Sequence, residues 1–139
     1  MPSLPGQPQE ETVRPVGLEA LDACAALFVA VFNGPPWHDA WRPEQARAYL
    51  DDIFRAPGFL GFLLTADGRP MAFCLGCVNR WYRGDEYTLR EFGVHPDGQR
   101  RGYGTRLLTA VEGAVAKAGC QAIVLLTRRD MPADRKSVV

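Results

Sequence analysis

The sequence predicts an α+β fold: a mixed, mostly antiparallel sheet with flanking helices, in the order strand, two helices, three strands, helix, strand. Three observations predict it. Apolar residues recur at spacings of three and four in three stretches, and alternate or run continuously in shorter stretches between them. Ala66-Asp67-Gly68-Arg69 carries a hairpin signal between two of the short stretches, which makes those strands antiparallel. A succession of strand, glycine-rich turn, helix and strand follows, and a right-handed crossover of that kind makes its two strands parallel.

The elements follow in order. Residues 1–10 hold three prolines, two glutamines and a glycine with little to bury, and are expected to form a disordered tail before a single domain over 11–139. Residues 12–16 are a short strand, with Pro15 marking an edge. Leu18, Leu21, Ala25, Phe28, Val29 and Phe32 form a helical stripe that Asn33-Gly34-Pro35-Pro36 stops. Pro43-Glu44 opens a second helix, with Ala46, Tyr49, Leu50, Ile53 and Phe54 on its apolar face and Pro57-Gly58 at its end. Residues 59–65 and 70–79 are the hairpin strands. A turn near 81–86 leads into a fourth strand carrying Tyr87, Leu89, Phe92 and Val94, which Pro96-Asp97-Gly98 ends. Leu107, Leu108, Val111, Ala114, Val115 and Ala118 return to helical spacing, and 121–127 is an apolar run suited to a strand buried on both faces. No internal repeat is present.

Composition narrows the function classes. The chain has 139 residues, 47% hydrophobic and 23% charged, ordinary for a soluble globular protein. Sixteen basic residues balance sixteen acidic ones, so nothing argues for a nucleic-acid partner. No apolar run approaches a membrane span, and the first residues lack the basic start and apolar stretch of a signal peptide, so the expectation is a cytoplasmic protein without a membrane partner. Cys24, Cys74, Cys77 and Cys120 then read as reduced core residues. Cys74 and Cys77 form a C-x-x-C, but a strand would turn their side chains to opposite faces, and a zinc site needs further ligands; no metal is expected.

The chemistry concentrates between Glu91 and Glu112. Gln99-Arg100-Arg101-Gly102-Tyr103-Gly104-Thr105 places backbone N–H groups at a helix N-terminus, where the helix dipole is positive. Gly102 and Gly104 remove Cβ atoms that would hold a phosphate away, and the arginines add charge, which suits a diphosphate. A dinucleotide fingerprint fails because Leu107 stands where the third glycine belongs, and a Walker loop fails for want of G-K-[ST].

The segment Q-R-R-G-Y-G-T, after a strand ending F-G-V-H-P, resembles the coenzyme A pyrophosphate loop of the GNAT superfamily of N-acetyltransferases, whose pattern is Q/R-x-x-G-x-G/A. The resemblance runs from about Val13 to about Arg129. It implies an acetyl-CoA co-substrate, with Gln99, Arg100, Arg101, Gly102, Tyr103, Gly104 and Thr105 on the pyrophosphate. Phe92, Gly93 and Val94 would pair with the pantetheine arm, which lies along a strand that relatives interrupt with a bulge; Gly93 is the expected site of that irregularity.

Transfer to an amine requires a neutral nucleophile, whereas a free alkylammonium has a pKa of about 10. Glu91 matches the position where similar enzymes often place a glutamate base, with Asp85 and Glu86 as competitors. The backbone N–H of Phe92 or Val94 would stabilise the oxyanion. Histidine is a residue type that can serve as a base near neutral pH, but rim and turn roles account for His38 and His95. By the same resemblance the acceptor site falls on Trp37, His38, Asp39 and Trp41, and on Trp81, Tyr82, Asp85 and Glu86. Aromatics beside carboxylates suit a cationic amine, and equally a solvated rim with buried indoles.

After the fifth strand, relatives continue through a helix and two more strands, and that helix often supplies a tyrosine acid. Here twelve residues, 128–139, remain, and no tyrosine follows Tyr103. A truncated or frame-altered product, a dimer whose partner completes the sheet, and a coenzyme-binding module would each explain this. The expectation is an incomplete acetyltransferase fold, lacking that helix and both strands, that forms a homodimer through the uncovered edge of the fifth strand. Its acceptor would be a small-molecule or peptide amine; the alternative is an acyl-CoA-binding or partner-interaction domain with little or no catalysis.

Overall fold

Alternating side chains on the central strands divide the hydrophobic core into two layers. A computed structural model describes residues 10–125 and 134–137. Phe62 and Leu64 of β2 (Phe59–Ala66) and Ala72 and Cys74 of β3 (Arg69–Asn79) enter one layer. Leu63 of β2 and Phe73 and Leu75 of β3 enter the other. That second layer is filled by α1 (Leu21–Phe32) and α2 (Pro43–Phe54), through Leu27, Phe28, Leu50 and Phe54 among others. The first is covered by α3 (Tyr103–Lys117), through Leu107, Val111 and Val115. Each fully buried large side chain among these contributes roughly 1.5–3 kcal/mol.

Among the described residues the sheet has six strands in sequence order, β1 (Glu11–Val16), β2, β3, β4 (Glu86–Val94), β5 (Ala122–Leu125) and β6 (Asp134–Ser137). Every neighbouring pair is antiparallel except β4 and β5, which are parallel and joined through α3. The α+β class and mixed sheet are as the sequence predicts. Residues 1–9 of the expected tail lie outside the described residues, as does the end of the strand expected over 121–127. Glu10 is tied to the β2–β3 hairpin, donating its N–H to Asp67 Oδ1 at 3.0 Å.

Two expectations are corrected. The outer edge of β5 is not uncovered: β6 pairs with it, Ala122 facing Ser137 and Leu125 facing Asp134. With this edge paired, the ground for a homodimer through it disappears. The bulge is not at Gly93 either. Leu75 faces Glu91 and the next residue, Gly76, faces Leu89, so Arg90 is the extra residue. Gly93 keeps regular register opposite Phe73, and a Cβ there would lie 2.9 Å from Phe73 and Val31 side-chain atoms. Glycine serves close packing at that position.

All four cysteines are free and buried. Burial pushes the Cys24 and Cys74 thiols up to about 12, which leaves them unreactive near neutral pH.

Candidate active site

The bulge at Arg90 sets the side chains around it. Tyr87 and Leu89 belong to the α3 layer, and so do Phe92 and Val94. Without an extra residue, Leu89 and Phe92 would point to opposite faces; looping out Arg90 keeps both in one layer and turns Glu91 toward α1 and α2. There the Tyr49 hydroxyl of α2 donates to Glu91 Oε1 at 2.5 Å. Burial pushes the Glu91 carboxyl above the usual carboxylate range, against the Tyr49 hydrogen bond and the Arg90 charge, which pull it down; Asp39 adds to the rise. Burial and the Glu91 carboxylate push the Tyr49 phenol up to about 12, so it stays a donor at every working pH.

The segment joining α1 to α2 is built onto this pair. Asn33 Nδ2 donates to the Trp41 carbonyl and Trp41 N–H donates to Asn33 Oδ1, each at 2.9 Å, closing the segment into a loop. Trp41 is thereby set against Phe28 and Tyr49, with ring centroids 5.1 and 5.3 Å away. Its indole N–H donates to Asp39 Oδ2 at 3.2 Å. Asp39, Ala40, Trp41 and Gln45 line an open cleft of about 360 Å³ on this side.

The other side of β4 opens after the bulge. β4 pairs with β5 only from Glu86 to Leu89, and beyond that no strand flanks this edge among the described residues. His95 N–H donates inward to the Met71 carbonyl at 2.7 Å, so strand alternation turns the N–H groups of Phe92 and Val94 toward the open edge. Gln99 Nε2 donates to the outward Val94 carbonyl at 3.0 Å, fastening the following loop to the strand end.

That loop has the features of an anion site. Arg100 and Gly102 adopt left-handed conformations, φ 66° and 78°, which turn the chain sharply into α3. No side chain caps the helix, its first turn holds no acid, and its first backbone bond runs from Arg106 N–H to the Gly102 carbonyl. Arg100 and Arg101 are exposed and have no ion-pair partner among the described residues, whereas Arg106 is held by Glu11. These residues fit a diphosphate: uncapped N–H groups, dipole and free arginines converge there. Gly104 has a different use, since a Cβ on it would meet Val94 Cγ2 at 3.2 Å; its small size lets the helix start approach β4. Tyr103 is buried in the α3 layer, so its ring is core rather than loop surface. Thr105 is exposed on the first turn.

The acceptor residues expected from sequence divide. Trp41 stands beside Glu91 through Tyr49. Trp37 packs on Phe32 at 5.1 Å and is half exposed, and His38 is exposed with φ 50°. The β3–β4 turn lies at the opposite end of β4: Glu86 is five residues from Glu91, roughly 15 Å of strand. Glu86 is buried, with its Oε2 3.5 Å from Gln121 Nε2, and the Asp85 carbonyl accepts from Gln121 N–H, so this pair joins β4 to the start of β5. Trp81 and Tyr82 pack at a tilt, centroids 5.4 Å apart, at the exposed turn. His95 Nδ1 accepts from Asp97 N–H at 3.0 Å, a turn role. Sequence reasoning missed Tyr49 and Asn33, and it placed the expected bulge at Gly93 instead of Arg90. Tyr49 lay on an apolar stripe and read as core. The bulge did leave a signal, because the apolar phase slips from Tyr87 and Leu89 to Phe92 and Val94.

Residues 23–136 match the family model described as Acetyltransferase (GNAT) family, and the chain belongs to that family. Solved structures share its fold. A GNAT family acetyltransferase from Staphylococcus aureus has a TM-score of 0.71 at 17% identity, covering 91% of this chain and 94% of its own. Aminoglycoside N-acetyltransferase AAC(6')-Iy, solved with CoA, has a TM-score of 0.67 at 20% identity, covering 91% and 83%. The ribosomal-protein-S18-alanine N-acetyltransferase from Escherichia coli has a TM-score of 0.64 at 23% identity, covering 87% and 69%. No curated relative matches the chain by sequence. Among the described residues, no helix is long and apolar enough to cross a membrane.

Proposed function

We propose that residues 11–139 act as a single acetyl-CoA-dependent N-acetyltransferase domain that acts on a primary amine by direct attack within a ternary complex. The observation that carries this reading is a half-buried carboxylate, Glu91, beside the bulge where β4 opens, on a strand that runs into an anion-binding loop. Acetyl-CoA supplies an acyl group activated as a thioester. Backbone N–H groups from Arg100 to Thr105, with the Arg100 and Arg101 side chains, bind its diphosphate. The open edge at Phe92 and Val94 offers N–H groups to its amide-bearing arm and to the charge that develops on the acyl oxygen.

Glu91 takes a proton from the incoming ammonium, directly or through one water. The neutral nitrogen attacks the thioester carbonyl, the C–S bond breaks as the carbonyl re-forms, and the sulfur leaves with the electron pair; the nitrogen gives up its second proton to solvent and the thiolate takes one from solvent. A carboxylate with a raised pKa suits this task, because its conjugate acid lies closer to the ammonium it relieves. Asp39 and the Trp41 ring, in the cleft beside it, suit a cationic acceptor by Coulomb and cation–π attraction. Four buried free thiols suit a reducing compartment, the cytoplasm.

Thiol release from acetyl-CoA, followed across a panel of small amines and peptide N-termini, tests the reading. Amine-dependent release that falls by about 10²–10⁴-fold in Glu91→Gln is the expected result. Tight acetyl-CoA binding with no amine-dependent release would replace it with coenzyme binding without turnover.

A further inference from the structure

Resting on Glu91 as the base of that reaction, we propose that Tyr49 is a positioning residue, whose hydroxyl on α2 holds the Glu91 carboxylate in its ionised form and in one orientation. Tyr49 is fixed before it meets Glu91. Its ring packs on Trp41 at 5.3 Å and on Phe28 at 5.7 Å, these two rings lie 5.1 Å from each other, and Trp41 is itself clamped by Asn33. A ring packed into this aromatic triad presents its oxygen along one direction, and the Glu91 carboxylate lies on it.

A purely structural residue here needs only the ring. Phenylalanine would fill the same space without bringing a hydroxyl into a half-buried site, where a polar group costs stability unless it is bonded. The hydroxyl is bonded to Glu91, a group whose own partial burial requires a donor. Four sides of the carboxylate are accounted for. Tyr49 faces it from α2, Arg90 from the bulge, Asp39 from the loop between α1 and α2, and the apolar Leu75 from β3. Arg90 is exposed and its side chain reaches the Tyr49 hydroxyl, while Tyr49 donates directly to the carboxylate.

The test is the titration of Glu91 itself, followed by carbon-13 NMR in protein labelled at the glutamate carboxyl, with the signal assigned by its loss in Glu91→Gln. In Tyr49→Phe the Glu91 midpoint moves to higher pH, because the ionised form loses its donor. The acid limb of kcat/KM moves with it, and kcat falls roughly tenfold while acetyl-CoA affinity stays. Incorporating 3-fluorotyrosine at every tyrosine keeps each ring and strengthens the donor, and it moves the midpoint to lower pH without depending on how Tyr49→Phe folds. An unmoved midpoint in both proteins overturns the role of Tyr49 and leaves Glu91 as base. Full activity in Glu91→Gln removes the base, and the proposal with it, whichever way the midpoint moves.

Discussion

Leu89 and Phe92 point into the same layer of the core although three positions separate them, because Arg90 is looped out of β4 opposite the Leu75–Gly76 step. Deleting Arg90 makes the strand regular without turning any of its neighbours to another face: Leu89 still faces Gly76 and Glu91 still faces Leu75. The deletion is therefore expected to fold, with a melting temperature within a few degrees of the parent. It removes the bend and extra twist that a bulge gives a strand. Acetyl transfer is expected to fall by about 100-fold, and a deletion variant of full activity would show that the bulge has no part in the site.

Glu91→Gln is expected to be more stable than the parent near neutral pH. The folded-state pKa of Glu91 is raised, chiefly by burial, so the native state holds this proton more tightly than the unfolded chain does. The stability contributed by that proton is fully present below the unfolded pKa and is lost as pH rises through the folded one. Glutamine has no charge to bury and still accepts from Tyr49. Thermal denaturation at pH 7 and at pH 4 should show the variant's advantage at the higher pH and its disappearance at the lower; an advantage independent of pH would point to another cause.

Arg100→Ala combined with Arg101→Ala is expected to weaken acetyl-CoA binding at least tenfold in calorimetry, and to flatten the dependence of affinity on salt. Both side chains are exposed, so the fold is not at stake. Substitutions at Gly104 test the coenzyme site less cleanly, since a Cβ there meets Val94 as well. Unchanged affinity in the double variant would leave the backbone N–H groups and dipole as the whole of the anion site.

Gly76→Ala is expected to destabilise the chain by about 1–3 kcal/mol. A Cβ at this position runs into the Thr88 carbonyl oxygen and the ring of Tyr87. Neither can move cheaply: one is backbone, and the other is fully buried with its hydroxyl donating to the Leu60 carbonyl at 2.6 Å. Urea denaturation measures this directly, and a loss below about 0.5 kcal/mol would show that the ring yields.

The order of elements was legible because each is written locally. The stripe from Leu107 to Val115, the Asp67-Gly68 turn and the run from Phe59 to Thr65 carry their period or turn chemistry within a few residues. The anion loop was legible for the same reason, its glycines and arginines being contiguous. Glu91 was found by resemblance, but nothing near it in the chain says that it is half buried or held. That needed Tyr49, 42 residues away on another element, and Asn33 to set Trp41 against Tyr49. The roles of Gly93 and Gly104 depended on what faces them across the core. Periodicity and turn chemistry are short-range properties, and the order of residues alone settles them. Burial, hydrogen-bond partners and the register that placed a bulge at Arg90 and β6 on the edge of β5 arise only when distant segments pack, and the fold decided those.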